Sequence, residues 1–306
     1  MKVLVLGDLC LDTVVEDELA LDSVMARDGG DLSLWTPMAD VPGGTSYHFA
    51  AAAGRHGHTP VVVGAIGADV AGRAITEALT DGAIGHRLAV DERRPTGRAI
   101  IGYGTTGARI MFASRGAANE GLSGTAVREA VEALPGFDAV WVSGLSLTRK
   151  GTPTYASVRE IAAGAAAGGV RLLFDVVPHE FHRHFSDVPS IAAEVGPIHG
   201  LVSELPSARR LLGLGDAGET LTERLLDETA ELLLEQVTAT VLRYRSGSAY
   251  RQSVRTRDGL VKDLERPIPE RLGLRGYGDT MTCEVLSELV GAVPEGEPIS
   301  GKVESL

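Results

Sequence analysis

The residues best suited to chemistry lie late in the chain, where Gly276-Tyr277-Gly278-Asp279 sets a carboxylate directly behind two closely spaced glycines. Glycines permit a tight turn that gathers backbone N–H groups. The apolar spacing of Met281, Val285, Leu286 and Leu289 predicts an amphipathic helix over residues 280–290 behind that turn. Amides at such a helix start can receive the charge that builds on a transferring phosphoryl group, and Asp279 can accept a hydroxyl proton. A helix start also favours an ionised carboxylate, so the spacing predicts no strongly raised pKa for Asp279. An ordinary glycine turn with Asp279 as helix cap fits the same residues.

Two other groups bear on the same chemistry. Asp12 follows the first apolar run and Gly43-Gly44 precedes a helical stretch, which places both at one end of a parallel sheet. Either alone reads equally as capping or turn chemistry. His179, His182 and His184 lie near Glu180, but no complete ligand motif accompanies them and no metal site is predicted there. Trp35 suits a substrate-covering flap, a dimer contact or a small core.

These residues need a sheet to hold them. Residues 3–7, 60–66, 139–142, 170–174, 200–202 and 239–242 are short apolar runs that predict buried strands. Helical patterns cover residues 45–57, 71–79, 126–134, 155–167, 207–212 and 221–235. Their alternation predicts a mostly parallel sheet covered on both faces. Residues 96–113 form two β-rich runs around Gly104-Thr105-Thr106-Gly107, the pattern of a hairpin, while residues 13–41 lose core periodicity and predict a flap. The partition is one domain, residues 1–306, with a small β lid from about 13–41 and 91–113.

With 306 residues, 44% of them hydrophobic, the chain can bury a substantial core. A formal charge of -12 gives no broad attraction to nucleic-acid phosphates or anionic membranes, so neither is an expected partner. Asp8 and Asp12 interrupt the apolar N-terminus before a secretion signal could form. The only cysteines, Cys10 and Cys283, have neither metal-ligand nor disulfide-framework spacing, and a cytoplasmic location is expected.

Taken in order, these segments resemble the PfkB (ribokinase-like) carbohydrate and nucleoside kinases over most of the chain. Gly7-Asp8 with Asp12 is similar to the family's first strand and substrate-binding aspartate. Gly43-Gly44-Thr45-Ser46-Tyr47-His48-Phe49-Ala50 resembles its GGxxxNxA segment, and Val63-Gly64-Ala65-Ile66-Gly67-Ala68-Asp69-Val70-Ala71-Gly72 its VGxxGxDxxG segment. Thr96-Gly97, Ser143-Gly144 and Phe174-Asp175 follow in family order, and Gly276-Tyr277-Gly278-Asp279 resembles the GAGD signature. The resemblance implies a three-layer α/β/α sandwich with a mostly parallel sheet and a small β lid. It implies phosphorylation of a hydroxymethyl group on a sugar, nucleoside or related polyol, with ATP and Mg²⁺ as cofactors. Asp279 would then be the base, Gly276, Tyr277 and Gly278 the anion-stabilising turn, and Asp12, Gly43, Gly44, His48 and Asn119 the substrate contacts. The lid would exclude water, and its edges could pair in a homodimer.

Four departures from the family pattern bear on function. His48 replaces the substrate-side asparagine, and its ring can be neutral or charged near physiological pH. Ser203-Glu204-Leu205-Pro206 stands in place of NxxE, which helps organise Mg²⁺ and phosphate. In Leu242-Arg243-Tyr244-Arg245-Ser246-Gly247, Tyr244 replaces a glycine of the TLGxxG nucleotide loop and is expected to obstruct ATP. Residues 280–306, interrupted by Pro294 and Pro298, leave little chain for the helices that enclose adenine. Arg243, Arg245, Gly247 and Arg275 read as a rewired donor or phosphate site that needs no protein-held metal. Three readings follow: a small-molecule kinase, a catalytically silent binding or sensor protein, and a repurposed enzyme acting on a phosphate-bearing substrate.

Overall fold

Strand β1 (Lys2–Leu6) sends Val3 and Val5 into one apolar cluster and Leu4 and Leu6 into another, so it needs a helical layer on each face. The computed structural model describes residues 1–19, 35–104, 109–114, 116, 120–176, 185–214, 223–268 and 275–291. After β1 come β2 (Cys10–Leu19), β3 (Met38–Gly43), α1 (Thr45–Arg55), β4 (Thr59–Gly67), α2 (Val70–Asp81) and β5 (Gly85–Asp91). Next are β6 (Gly97–Gly104), β7 (Arg109–Ser114), α3 (Thr125–Ala133), β8 (Ala139–Ser143), α4 (Pro153–Ala167), β9 (Arg171–Val176) and α5 (Val188–Val195). The chain continues through β10 (Gly200–Glu204), α6 (Leu205–Leu211), α7 (Glu223–Leu234), β11 (Ala239–Ser246), β12 (Ala249–Thr256), β13 (Val261–Pro267), α8 (Tyr277–Cys283) and α9 (Leu286–Gly291).

The main sheet has nine strands in the order β13-β12-β11-β10-β9-β8-β1-β4-β5. All pairs from β11 across to β5 are parallel, and β12 and β13 extend the sheet antiparallel. Helices α3 to α7 pack on one face around Leu4, Val142, Phe174 and Leu242. The other face carries α1, α2, α8 and α9 around Val5, Val62 and Trp141, where Phe49 of α1 stacks on Trp141 with ring centroids 4.3 Å apart. The three-layer α/β/α arrangement expected from the repeated strand-helix units is thus the observed one.

A second sheet of four strands, β3-β2-β6-β7, carries the predicted hairpin: β6 and β7 pair antiparallel, with residues 105–108 of the connection outside the described residues. Val14, Ala99, Ile101 and Tyr103 fill its inner face, whereas Ile100 and Phe112, paired across β6 and β7, are exposed. Residues 38–41, expected as part of a flap, lie in strand β3. Trp35 is 98% exposed and so is not part of a small core.

The expected helix over residues 280–290 is two short helices, with a turn at Glu284 and Val285. Thr280 and Thr282 hydroxyls donate back to the carbonyls of Gly276 and Gly278 (3.1 and 2.9 Å), a bonding pattern that bends helices. The Val285 amide then bonds Thr282, three residues back, and closes the first helix. Strands β5, β12 and β13 and helix α5 are not among the elements expected from the sequence, although Asp187 and Ser190 form a capping box at the start of α5. β13, with an exposure pattern nearly open on both sides, lacks an apolar run because it is the sheet edge.

Candidate functional site

Strand order reverses beside β1: the chain proceeds outward through β4 and β5 on one side and through β8 to β11 on the other. In parallel sheets such a crevice, at the carboxyl ends of the strands, is where ligands gather. Asp8 follows β1, Ser143 ends β8, Asp175 sits late in β9, Glu204 ends β10 and Arg243 is its partner in β11. Register sets Ser143 opposite Asp175, so these polar groups form a row along one end of the sheet.

The row begins with a lock between β1 and α1. The Thr45 amide donates to Asp8 Oδ2 (3.2 Å) and the Thr45 hydroxyl to Asp8 Oδ1, with Ser143 Oγ 2.7 Å from that hydroxyl. Helix α1 has no cap from its own N-cap residue, Gly44, so Asp8 satisfies its first amide. Gly44 has φ 93°, and a Cβ there would lie 2.4 Å from the Asp8 carbonyl oxygen; at Gly43 it would meet Asp12 Oδ2 at 2.2 Å. The two glycines therefore let the loop lie directly on the two aspartates. Burial raises the Asp8 carboxyl above its usual range, against the hydrogen bonds from Thr45.

Asp12 accepts from Cys10 Sγ (3.0 Å) and is 4% exposed. Its carboxyl is raised by burial, with Cys10 and the Arg275 charge pulling the other way. His48 Nε2 lies 4.0 Å from Asp12 Oδ2, yet burial, with Arg275 and Arg55, lowers its pKa to about 4. Of the two states the sequence left open, burial favours the neutral ring, an uncharged donor or acceptor. The ring sits against Gly276, where a Cβ would be 2.7 Å from His48 Cγ.

Gly276, in the left-handed conformation at φ 62°, is the N-cap of α8, and Asp279 stands inside the first turn. Asp279 is therefore not the capping residue. Its pKa is raised to about 8, by burial first and then by the neighbouring Asp175, with Arg243 opposing. Desolvation outweighs the helix start, which overturns the expectation of an unraised carboxylate. On the other side of the turn, a Cβ on Gly278 would be 2.6 Å from Arg243 Nη1.

Arg243 is buried and committed. Its Nη2 is 3.2 Å from Asp175 Oδ1, its Nε 3.3 Å from Glu204 Oε1 and its Nη1 3.4 Å from Thr282 Oγ1. Burial works against its charge, but Glu204 and Asp175 outweigh that and hold the guanidinium protonated. Asp175 is raised by burial to about 6, with Arg243 opposing. Tyr250 donates its hydroxyl to Glu204 and closes the network. Among the described residues no group of three or more His, Cys, Asp or Glu could hold a metal ion, and the carboxylates nearest Asp279 are already tied to Arg243. The described residues do not form a protein-held Mg²⁺ site.

The structure thus separates the arginines that sequence order grouped together. Arg243 faces α8, Arg245 is exposed further along β11, and Gly247 makes the β11–β12 turn at φ 59°. Arg275 belongs with Asp12 and His48, whose carboxyl and imidazole both feel its charge. Tyr244 packs on the apolar cluster of the α3–α7 face, opposite the face where Arg243 meets α8, so its ring does not block Asp279. Asn119 and His179, His182 and His184 lie outside the described residues. Sequence reasoning gave no role to Tyr250, Tyr103 or Arg109, and named Thr45 and Glu204 only within longer motifs. Glu204 had a signal, a charge at the end of an apolar strand.

A nine-stranded α/β/α sheet with polar groups gathered at its switch point is the architecture of the ribokinase-like kinases. A pfkB family carbohydrate kinase model matches residues 3–192, more than half the chain, and the chain belongs to that family. The fold is similar to 2-dehydro-3-deoxygluconokinase from Thermotoga maritima (17% identity, TM-score 0.73, covering 95% of this chain and 87% of that one). It is also similar to adenosine kinase from Sinorhizobium meliloti (16%, TM-score 0.72, 95% and 88%). Arabidopsis thaliana ribokinase complexed with ribose and ATP aligns at 18% identity, TM-score 0.67, covering 95% and 86%. At these identities the likeness shows the fold. No curated protein matches the sequence. No helix among the described residues is long and apolar enough to cross a membrane.

Proposed function

We propose that this chain is a small-molecule kinase that moves a phosphoryl group from ATP or another donor to a hydroxymethyl group of a sugar, nucleoside or related polyol. The observation that carries this reading is the position of the Gly276–Asp279 turn. One end, Gly276, lies on His48 beside Asp12, and the other, Gly278, lies on Arg243. A hydroxyl held by Asp12, Gly43, Gly44 and His48 is then within the domain of Asp279, which takes its proton as the oxygen bonds to phosphorus and the donor's bridging P–O bond breaks. Arg243 stands beside that turn, its charge shared with Asp175 and Glu204. ATP supplies the phosphoryl group, and Arg245 and Gly247, at the open end of β11, are the residues free to meet it. A metal would arrive on the donor's phosphates, since the described residues provide no cage for it. The four-stranded sheet, with Asp12 on β2, serves as the lid that shields the reaction from water.

The test is donor consumption that depends on an acceptor, over a panel of sugars, polyols and nucleosides, with products identified by mass spectrometry. No phosphorylated product with any nucleoside triphosphate sinks the kinase reading. One observation favours a second reading, a silent binding or sensor protein: Arg243 is already neutralised by Asp175 and Glu204. In that case acceptors bind and nothing turns over. Lid-to-lid dimerisation and a cytoplasmic setting are part of the kinase proposal, tested by solution mass and by fractionation.

A further inference from the structure

We propose that the acceptor carries an anionic group, a carboxylate or a phosphate, which Arg275, Tyr103 and Arg109 bind beside Asp12. The inference rests on the kinase reading of the site and deepens it by naming the acceptor's class.

The argument starts from unspent hydrogen bonds. Tyr103 is 2% exposed, and its hydroxyl is buried with no hydrogen-bond partner. Arg275 likewise has its Nε and Nη1 buried without a partner. Leaving a buried donor unmade is costly, and for a charged group more so, which makes two such side chains at one place a strong sign of a missing partner. The sheet explains why they meet. Asp12 pairs with Ala99 and Val14 with Ile101 across β2 and β6, so Ala99, Ile101 and Tyr103 alternate onto the face that carries Asp12. Arg109 is the direct cross-strand partner of Tyr103 on β7 and points to that same face. Arg275 stands one residue before the Gly276 that touches His48.

Electrostatics agree with this placement. The charge of Arg275 acts on Asp12, His48 and Tyr103 alike, and Arg109 acts on Asp12 and Tyr103. Arg109 comes near the Tyr103 hydroxyl without the geometry of a hydrogen bond, leaving that hydroxyl free to donate. His48, neutral, adds no charge of its own. Two guanidiniums and a phenol converging beside a hydroxyl-binding aspartate suit a polyol with an acid at one end. Guanidinium forks match the oxygens of carboxylate and phosphate.

Calorimetry without any donor tests this independently of turnover, with matched pairs: D-gluconate against D-glucitol for the carboxylate, and glycerol phosphate against glycerol for the phosphate. The expected result is a preference of about 10- to 100-fold for one anion over its neutral partner, the scale of hydrogen bonds to a charged group. Arg275→Gln should collapse that ratio towards one, Arg275→Lys should restore part of it, and Tyr103→Phe should reduce it by less. Thermal unfolding of each variant confirms that it folds. Equal binding of anion and neutral partner in both pairs overturns the proposal, as does an Arg275→Gln protein that folds and keeps its preference. Preferential anion binding without phosphoryl transfer leaves this inference standing and removes the kinase reading. Phosphorylation of D-glucitol or glycerol in preference to the acids does the reverse.

Discussion

The two sides of the Gly276–Asp279 turn treat charge in opposite ways. On the Asp12 side, buried donors of Arg275 and Tyr103 have no partner among the described residues. On the Arg243 side, one guanidinium is held by two carboxylates, one of which accepts from Tyr250 as well. The first side leaves hydrogen bonds for a ligand to complete, and the second balances its charge from within, with Arg243 Nε in ion-pair range of Glu204 but without a hydrogen bond. A self-neutralised ion network has little left for a new anion, because binding one means loosening Asp175 or Glu204. The Asp12 side is thus the half with more left for a ligand to satisfy. The Arg243 side looks after charge already present.

The largest break in that comparison is at the turn itself. Asp279→Asn should lower kcat by about 10²- to 10⁴-fold, the range associated with general-base catalysis, while acceptor affinity by calorimetry stays near the wild-type value. Loss of binding in step with kcat would instead make Asp279 a substrate contact. Next is Arg243→Met, which keeps much of the volume but leaves Asp175 buried without its counter-charge. Denaturant unfolding should show a loss of about 3 kcal/mol, at the low end for a broken buried pair because Glu204 is partly exposed. Arg275→Gln, already lacking partners, should leave stability nearly unchanged in the same assay. Equal losses from both arginines would erase the distinction between the two sides.

pH sharpens the comparison further. With Asp279 raised to about 8, its basic form accumulates only as pH climbs through that value, so kcat/KM should rise to a plateau above it. Stability should move the other way. Folded Asp279 and Asp175 (about 6) hold protons that the unfolded chain, near the ordinary value of 3.8, has already released. The stability these protons confer is complete below about pH 3.8 and is lost as pH rises through the folded values. Urea midpoints from pH 5 to 9 should therefore fall for wild type and fall less for Asp279→Asn. A flat wild-type profile would mean that Asp279 is better solvated than its burial indicates.

How far the sequence reveals all this depends on where the controlling forces act. Local signals sufficed for the strands buried on both faces: the apolar runs at residues 3–7, 60–66 and 139–142 are β1, β4 and β8 within a residue or two. β5, β12 and β13 escaped because a peripheral strand with alternating charge has no such run. At the site, the glycines and aspartates were readable from spacing, since close approach requires those residue types in order. The charge states were not. That His48 is neutral and Asp279 raised follows from desolvation and from Asp175 and Arg243, residues far away in sequence. Arg275 was grouped with Arg243 and Arg245 for the same reason: sequence order puts it next to the turn, whereas its charge acts on Asp12 and His48.

The smallest expected effect concerns the segment that resembles the family most closely, Val63 to Gly72. Its aspartate does structural work. Asp69 caps α2 through the Gly72 amide (2.8 Å) and receives both the amide (3.0 Å) and hydroxyl (2.6 Å) of Thr96, whose hydroxyl oxygen in turn accepts from the Gly67 amide (2.9 Å). Thr96 is the residue before β6, so this latch ties the end of β4 to the start of the small sheet's hairpin. Burial pushes the Asp69 carboxyl up, but the hydrogen bonds from Thr96 and Gly72 outweigh it and leave the pKa below the ordinary value. Its stabilisation is therefore present above about pH 3.8 and lost on acidification through the lowered folded value. Asp69→Ala should cost about 1–2 kcal/mol in urea unfolding at neutral pH, the scale of a lost helix cap, and should flatten the acid limb. Anion preference and the kcat/KM limb near pH 8 should stay in place. If either moved, the small sheet's attachment would be coupled to the Asp12 side, and the contrast between an acceptor half awaiting its ligand and a scaffold that holds it would have to be redrawn.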